Sequence, residues 1–430
     1  MSAAAKAAAR PAERLIVSLE RLRLGLLWIL GFSSGIVFYE PAPYEFLLVL
    51  AIGAFALTGL KIRAAHIPLL LMMIGTVIAY AIGVLPVANR EGTVKWTVVS
   101  IFLAVSSIFF ALALAENTMG RLRALTAGYI AGAVLVSLIG IAAWFHVIPG
   151  SDLFLINERV RSTFKDANVL GAYLVLPATI VIGRLLTGQY RSFILNAGIA
   201  GILTLGLLFS FSRGAWAHFV GATALLIILS FVTAPTNKER VRIAAFAAAG
   251  VAAAIVLLGL ILSIDAVATL FQERASLVQS YDAGPQGRFG RHIEGFLLML
   301  DHPFGIGPMQ FTDYFTEDPH NSFLNAFVAG GWIGGIFHAM LVLTTLIFGL
   351  REVFRRMPWQ RLYIAVYATF ASEVGESYII DVQHWRHFYL LIGVIWGLIA
   401  VRQMSGRPAV APAAGGLYIS PPQRSVAQPG

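Results

Sequence analysis

Residues 243–264 read IAAFAAAGVAAAIVLLGLILSI, a run of twenty-two positions with no charge. As an α-helix rising 1.5 Å per residue it would reach about 33 Å, enough to cross the hydrocarbon of a bilayer. Its flanks differ in sign. Lys238, Glu239, Arg240 and Arg242 precede it, and Asp265 follows. An apolar helix with a basic end and an acidic end is the unit from which the rest of the chain is read.

Comparable runs lie at 24–39, 44–60, 66–86, 95–115, 122–146, 168–186, 193–211, 214–233, 243–264, 321–349, 362–380 and 387–401. They predict an all-α, polytopic membrane protein of about twelve transmembrane helices, because lipid cannot hydrogen-bond a spanning backbone. A barrel would instead show strands of roughly ten alternating residues. Composition agrees: hydrophobic residues make up 58% and charged residues 12%, the latter about half of what a soluble domain carries. The absence of cysteine excludes disulfides, thiolate catalysis and cysteine metal sites. A net charge of +9 would suggest nucleic acid in a soluble protein. Here the basic residues sit between apolar runs, where they set topology, and no nucleic-acid partner is expected. The first run has no small-residue cleavage site close behind it and reads as an uncleaved first helix.

With the N-terminus placed in the cytoplasm, 21 of 31 Lys and Arg fall on the cytoplasmic side and 17 of 22 Asp and Glu on the other. That asymmetry predicts a multi-pass membrane protein with both termini cytoplasmic. The expected organisation is a cytoplasmic segment at 1–23, a membrane domain at 24–402 and a disordered, Pro/Ala/Gly-rich cytoplasmic tail at 403–430. Two long outer loops fall at 147–167 and 265–320.

Those loops carry the candidate chemistry. Positive-inside topology disfavours translocated arginine, yet the outer side holds Arg159, Arg161, Lys165, Arg213, Arg288, Arg291 and Arg386. Phe289, Ile293, Phe296, Leu297 and Leu300 recur at helical spacing and predict an amphipathic helix at the membrane surface, with Arg288, Arg291 and Glu294 on another face. The guanidinium fork suits a diphosphate. Pro303–Pro308 reads as an irregular turn. His320, at the mouth of the next span, titrates near neutrality and would serve as a general base. Each also has a bland reading: arginine as a headgroup anchor, histidine as a packed polar residue. Glu373 and Glu376 lie inside the eleventh run, where acids are functional by default or else pair with an outer arginine; His218 reads as buried packing. Asp381, His384 and Arg386 form a small outer polar cluster. Together these residues would suit transfer from a lipid-diphosphate sugar to a hydroxyl, with arginines neutralising the leaving diphosphate and neither metal nor cofactor required.

Four motifs then bear on family. Arg161-Ser-Thr-Phe-Lys-Asp-Ala-Asn168 with Leu170-Gly-Ala-Tyr173, Phe209-Ser-Phe-Ser-Arg213-Gly214, Gly287-Arg288 with Pro303-Phe-Gly-Ile-Gly307, and His320-Asn321-Ser-Phe-Leu with Gly330-Gly-Trp-Ile-Gly334 follow in order over residues 150–340. They resemble the O-antigen ligase and polymerase superfamily. The resemblance implies a metal-independent membrane glycosyltransferase using an undecaprenyl-diphosphate-linked glycan at the periplasmic face. It carries over His320 as the essential histidine and Arg161, Arg213 and Arg288 as diphosphate-binding arginines, with Arg291 their neighbour. Asn168, Asn321, Asp381, His384 and Arg386 would be further substrate contacts. The acceptor stays open between lipid A core and another glycan, and membrane lipid is the remaining expected partner. The rival expectations are a flippase for lipid-linked glycans, which would place polar sites at the bilayer midplane, and a non-catalytic scaffold for polysaccharide assembly.

Overall fold

The computed structural model describes residues 11–188, 192–275, 284 and 287–405. Residues 1–10, and all but the first three of the tail expected at 403–430, lie outside the described residues. The described chain runs α1 (Pro11–Ser33), α2 (Pro43–Gly59), α3 (Ile67–Gly83), α4 (Thr93–Ala113), α5 (Thr118–Trp144), β1 (Leu155–Ile156), β2 (Arg159–Val160), α6 (Ala167–Leu186), α7 (Phe193–Phe209), α8 (Arg213–Thr233), α9 (Asn237–Leu262), α10 (Asp265–Ala275), α11 (Arg288–Asp301), α12 (Ser322–Val353), α13 (Gln360–Glu376) and α14 (Arg386–Ser405).

Seven helical stretches among the described residues are long and apolar enough to cross a membrane: Ala64–Val87, built on α3, and α4, α5, α6, α8, α9 and α12. α2, α7 and α14 are apolar but shorter. α1 and α13 meet neither description, and both carry charge: Glu20, Arg21 and Arg23 in α1, Arg361, Glu373 and Glu376 in α13. The expected runs each coincide with a helix, while length and composition alone qualify seven. The periphery is apolar and bare. Leu57 is 90% exposed and Ile194 87%. In water such a surface would aggregate; lipid tails cover it at no cost. Inside, small residues let backbones touch, as membrane helices require. A β-carbon on Gly128 of α5 would lie 1.9 Å from the Trp28 carbonyl of α1.

Two expectations need correction. α12 is not the continuous span read at 321–349, because Gly330 and Gly331 leave helical geometry, Gly331 with φ +63° and ψ −161°. The turn at 303–308 fills that break. Ile306 and Gly307 each donate to the Val328 carbonyl at 3.1 Å, and Trp332 donates its backbone N–H to the Pro303 carbonyl at 2.9 Å. Gly305, at φ +78°, approaches so closely that a β-carbon there would lie 2.7 Å from the Gly331 nitrogen. The two glycine motifs are therefore one device, in which a loop satisfies polar groups that a broken helix would leave bare. Second, Glu373 and Glu376 pair with histidine, not arginine. Glu376 lies 2.9 Å from His218 Nδ1 and Glu373 lies 3.0 Å from His387 Nε2. All four side chains are buried, which no solvated arginine on an outer loop would match. Burial alone was expected of His218, and it holds.

The region read as one long loop at 265–320 also contains α10, which continues from α9 after Ser263 and Ile264. The amphipathic helix is α11. Its exposed face carries Phe289, Ile293, Phe296, Leu297 and Leu300, and its buried face Arg291, His292, Gly295 and Met299.

Candidate active site

The buried face of α11 seats it against the start of α12. Gly295 allows the contact: a β-carbon there would come within 2.8 Å of Leu324 and 2.9 Å of Phe311. One step along, His292 Nε2 sits 2.6 Å from the Pro319 carbonyl and so holds the peptide that leads into His320. His320 itself adopts φ +45°, a left-handed conformation that costs a non-glycine residue on the order of 1 kcal/mol. Asn321 then caps α12, accepting the Leu324 N–H at 3.0 Å and donating to the Tyr378 carbonyl at 3.2 Å. The helix starts at Ser322 on this cap.

His320 opens onto a cavity of about 320 Å³. The walls come from five parts of the chain. α4 supplies Trp96, the head of α6 supplies Asp166 and Asn168, and the loop before α12 supplies Asp318 and His320. α12 supplies Asn325, and the turn between α13 and α14 supplies Asp381 and Trp385. Among the described residues no hydrogen bond engages the His320 ring. Burial, and after it the charge of Arg288, hold its pKa below that of an ordinary imidazole, with Arg291 adding to the effect and Asp318 and Glu317 opposing it. A neutral ring with free nitrogens at a cavity wall is what a general base requires.

None of the candidate arginines belongs to the lining of this cavity. Arg288 is the first residue of α11, and its Nη1 donates to the Ile379 carbonyl at 3.3 Å, beside Ile380 of the wall. No side chain caps that helix N-terminus, where Gly287 occupies the N-cap. Arg213 is likewise the first residue of α8, behind the Ser212 cap. Cations are disfavoured at helix N-termini, whose exposed N–H groups attract anions. Arginine there places two kinds of anion donor together. Arg291 is buried on Thr316 at 2.9 Å and Glu317 at 2.5 Å. Arg161 donates to the Leu153 carbonyl at 3.1 Å. Its neighbour Arg159, noted among the outer arginines but not among the diphosphate-binding ones, donates to Asn168 Oδ1 at 2.7 Å and so touches the cavity wall.

The remaining candidates divide. Asn168 and Asp381 line the cavity; Asn321 is occupied by its capping role. Asp381 accepts from Ser322 at 3.1 Å and from Asn325 at 2.7 Å, and burial raises its pKa. Arg386 is held by Glu45 at 2.5 Å and Glu40 at 3.6 Å. His384 sits 2.9 Å from Ser100 and rests on Trp96, and burial pushes its pKa down to about 4. Both line a second cavity of about 20 Å³, room for roughly one water.

Residues 198–339 match the family model Wzy_C, O-antigen ligase. Over that third of the chain the protein is similar to the O-antigen ligase and polymerase superfamily. The matched stretch contains the Ser212-Arg213-Gly214 turn, α11, the turn at 303–308, His320 and the break in α12. No curated protein matches the chain. The match lies within a bundle of apolar helices, seven of them long and apolar enough among the described residues to cross a membrane, and it is similarity to a membrane ligase of the O-antigen type.

His292 is the residue the sequence reading missed outright. Its signal lay in the spacing: 291, 292, 295 and 299 form the one face of α11 without a large exposed apolar side chain.

Proposed function

We propose that this protein moves a glycan from undecaprenyl diphosphate to a hydroxyl acceptor at the periplasmic face of the inner membrane, without a metal. One observation supports this above the others. The His320 ring, engaged by no hydrogen bond among the described residues, faces the cavity under the charge of Arg288 at the uncapped start of α11. His320 takes the proton of the acceptor hydroxyl. The acceptor oxygen bonds to the anomeric carbon as the bond from that carbon to the phosphate oxygen breaks, and the diphosphate leaves with the electron pair. A single displacement of this kind inverts the anomeric centre. Arg288 and Arg213, with the N–H groups of the helices they begin, stabilise the charge that grows on the leaving group. Arg291 and Arg161 stand behind them. The basic ends of the helices lie in the cytoplasm with both termini.

The discriminating experiment supplies purified protein in nanodiscs with an undecaprenyl-diphosphate oligosaccharide and chelator. One arm adds lipid A core and the other a second copy of the lipid-linked glycan. Product on lipid A core makes the protein a ligase, and longer lipid-linked chains make it a polymerase. The break in α12 and the buried Glu373 and Glu376 are features that transporters share. A flippase reading gains if donor crosses a liposome bilayer without product. Against it, the break is filled by the turn at 303–308 and both carboxylates are paired.

A further inference from the structure

The cavity beside His320 has an unequal charge distribution. Its lining holds the carboxylates of Asp166, Asp318 and Asp381, the amides of Asn168 and Asn325, and the indoles of Trp96 and Trp385. No Lys or Arg belongs to that lining. Two helices begin at its edge, and a helix N-terminus is a ready anion site. Both are closed from within. Asp166 Oδ1 accepts the Asn168 N–H at 2.6 Å at the head of α6, and Asn321 Oδ1 accepts the Leu324 N–H at the head of α12. Among the described residues no three His, Asp or Glu side chains are grouped to hold a metal, so the carboxylates are dispersed around the wall rather than gathered on a cation.

Carboxylates and amides that bond hydroxyls, together with indole faces on which a sugar ring stacks, are the chemistry of carbohydrate recognition. We infer that this cavity is the acceptor subsite and that it selects a glycan terminus bearing neither phosphate nor carboxylate. This rests on the transferase reading above and adds the class of acceptor to it. The division of labour is spatial. The donor's diphosphate belongs with Arg288 and Arg213 outside the lining, and the acceptor's hydroxyl face belongs inside, where Asp166 and Asp318 repel an anion. Asp381 contributes differently, since its oxygens already hold Ser322, Asn325 and the Gln383 N–H. With Gln383 it holds the amide nitrogen of Asn325 in place at the wall.

The test uses the full chain in nanodiscs with a lipid-diphosphate oligosaccharide donor. Two synthetic glycolipid acceptors differ only in a phosphate on the terminal sugar, and kcat/KM is measured for each. Wild type should favour the neutral acceptor by on the order of tenfold, the scale of one like-charge contact partly screened by water. Asp318→Asn, on an exposed residue whose replacement does not threaten folding, should raise the ratio of phosphorylated to neutral kcat/KM several-fold. Equal use of both acceptors by wild type, or a ratio unmoved by Asp318→Asn, overturns the acceptor assignment while leaving transfer intact. No product from either acceptor, with donor unconsumed, overturns the transferase reading and this inference with it. Saturation-transfer NMR with the free neutral and phosphorylated sugars on His320→Ala protein reads the same preference without turnover. Preferential contact with the phosphorylated sugar there also overturns the inference.

Discussion

His320 and His218 look alike on paper: each lies at the start of an apolar run inside the stretch matched by the ligase family model. The structure separates them completely. His218 is sealed between α8 and α13, its Nδ1 2.9 Å from Glu376 and its Nε2 3.1 Å from the Thr369 carbonyl. His320 stands on a strained loop with its ring open to a cavity. One region uses histidine to close a buried charge, and the other holds histidine ready for a proton. The same contrast divides the acids. Glu373 and Glu376 each meet a buried imidazole, whereas Asp166 and Asp318 face open space. A ring whose bonding is complete stabilises a fold, and a ring left with free nitrogens can do chemistry.

The largest expected effect breaks the comparison at its functional end. His320→Ala should lower the transfer rate by about 10²–10⁴, the usual worth of a general base, while the thermal unfolding midpoint in detergent stays within a degree or two of wild type. The converse belongs to the buried pair. His218→Leu leaves the Glu376 carboxylate alone in the bundle and should cost about 3–5 kcal/mol of stability. His218→Leu combined with Glu376→Leu should recover most of that loss, because two apolar groups replace the pair together. A stable His218→Leu protein without activity would join that histidine to the chemistry and erase the distinction.

How much of this was legible beforehand follows from the physics of each feature. Apolar runs and their basic flanks are local, so the helices stood where the runs ended, and α11 lay where its spacing put it. Phe289 and Ile293 reported their own exposure through period alone. Pairing is not local. Glu376 meets His218 across more than 150 positions of chain, and nothing in either segment names the other. The same applies to Arg291 and Glu317, and to Arg386 with Glu40 and Glu45, where outer arginines read as available proved to be held. The break in α12 was hidden for another reason. Gly330-Gly331 lies inside a run hydrophobic enough to span, and only the turn at 303–308, folding back onto Val328, makes a discontinuity tolerable there. His320 could be singled out because it precedes a helix at the mouth of a loop, but its free ring nitrogens and its cavity are properties of five segments assembled.

That break sets a smaller test. Gly331→Ala demands φ +63° and ψ −161° of a residue with a β-carbon, which would sit 2.4 Å from the Pro303 carbonyl. A cost of about 1–3 kcal/mol is expected, with activity falling as the turn is pushed away from the helix that carries Asn325. Gly250→Ala is the control on α9, where no atom lies within 4 Å of the added carbon. It should be neutral or slightly stabilising, as alanine is the better helix former. Equal effects at both glycines would mean that the 303–308 turn does not hold the break.

The smallest effect is the sharpest probe of His320 itself. A general base acts only when neutral, so kcat/KM falls as pH drops through its pKa. Burial and then Arg288 hold that pKa below 6.5, so wild-type activity should persist to a lower pH than an exposed histidine would allow. Arg288→Gln removes a positive charge, raises the pKa and should move the acid limb to higher pH by up to about one unit, whatever it does to the maximal rate. Glu317→Gln acts oppositely: it removes a negative charge that favours the imidazolium and releases the Arg291 charge it had paired, so the limb should move lower. Shifts of opposite sign from two residues on either side of one ring would assign the limb to His320. A limb that ignores both substitutions would assign it elsewhere, and the contrast between an open and a sealed histidine would then describe structure without describing catalysis.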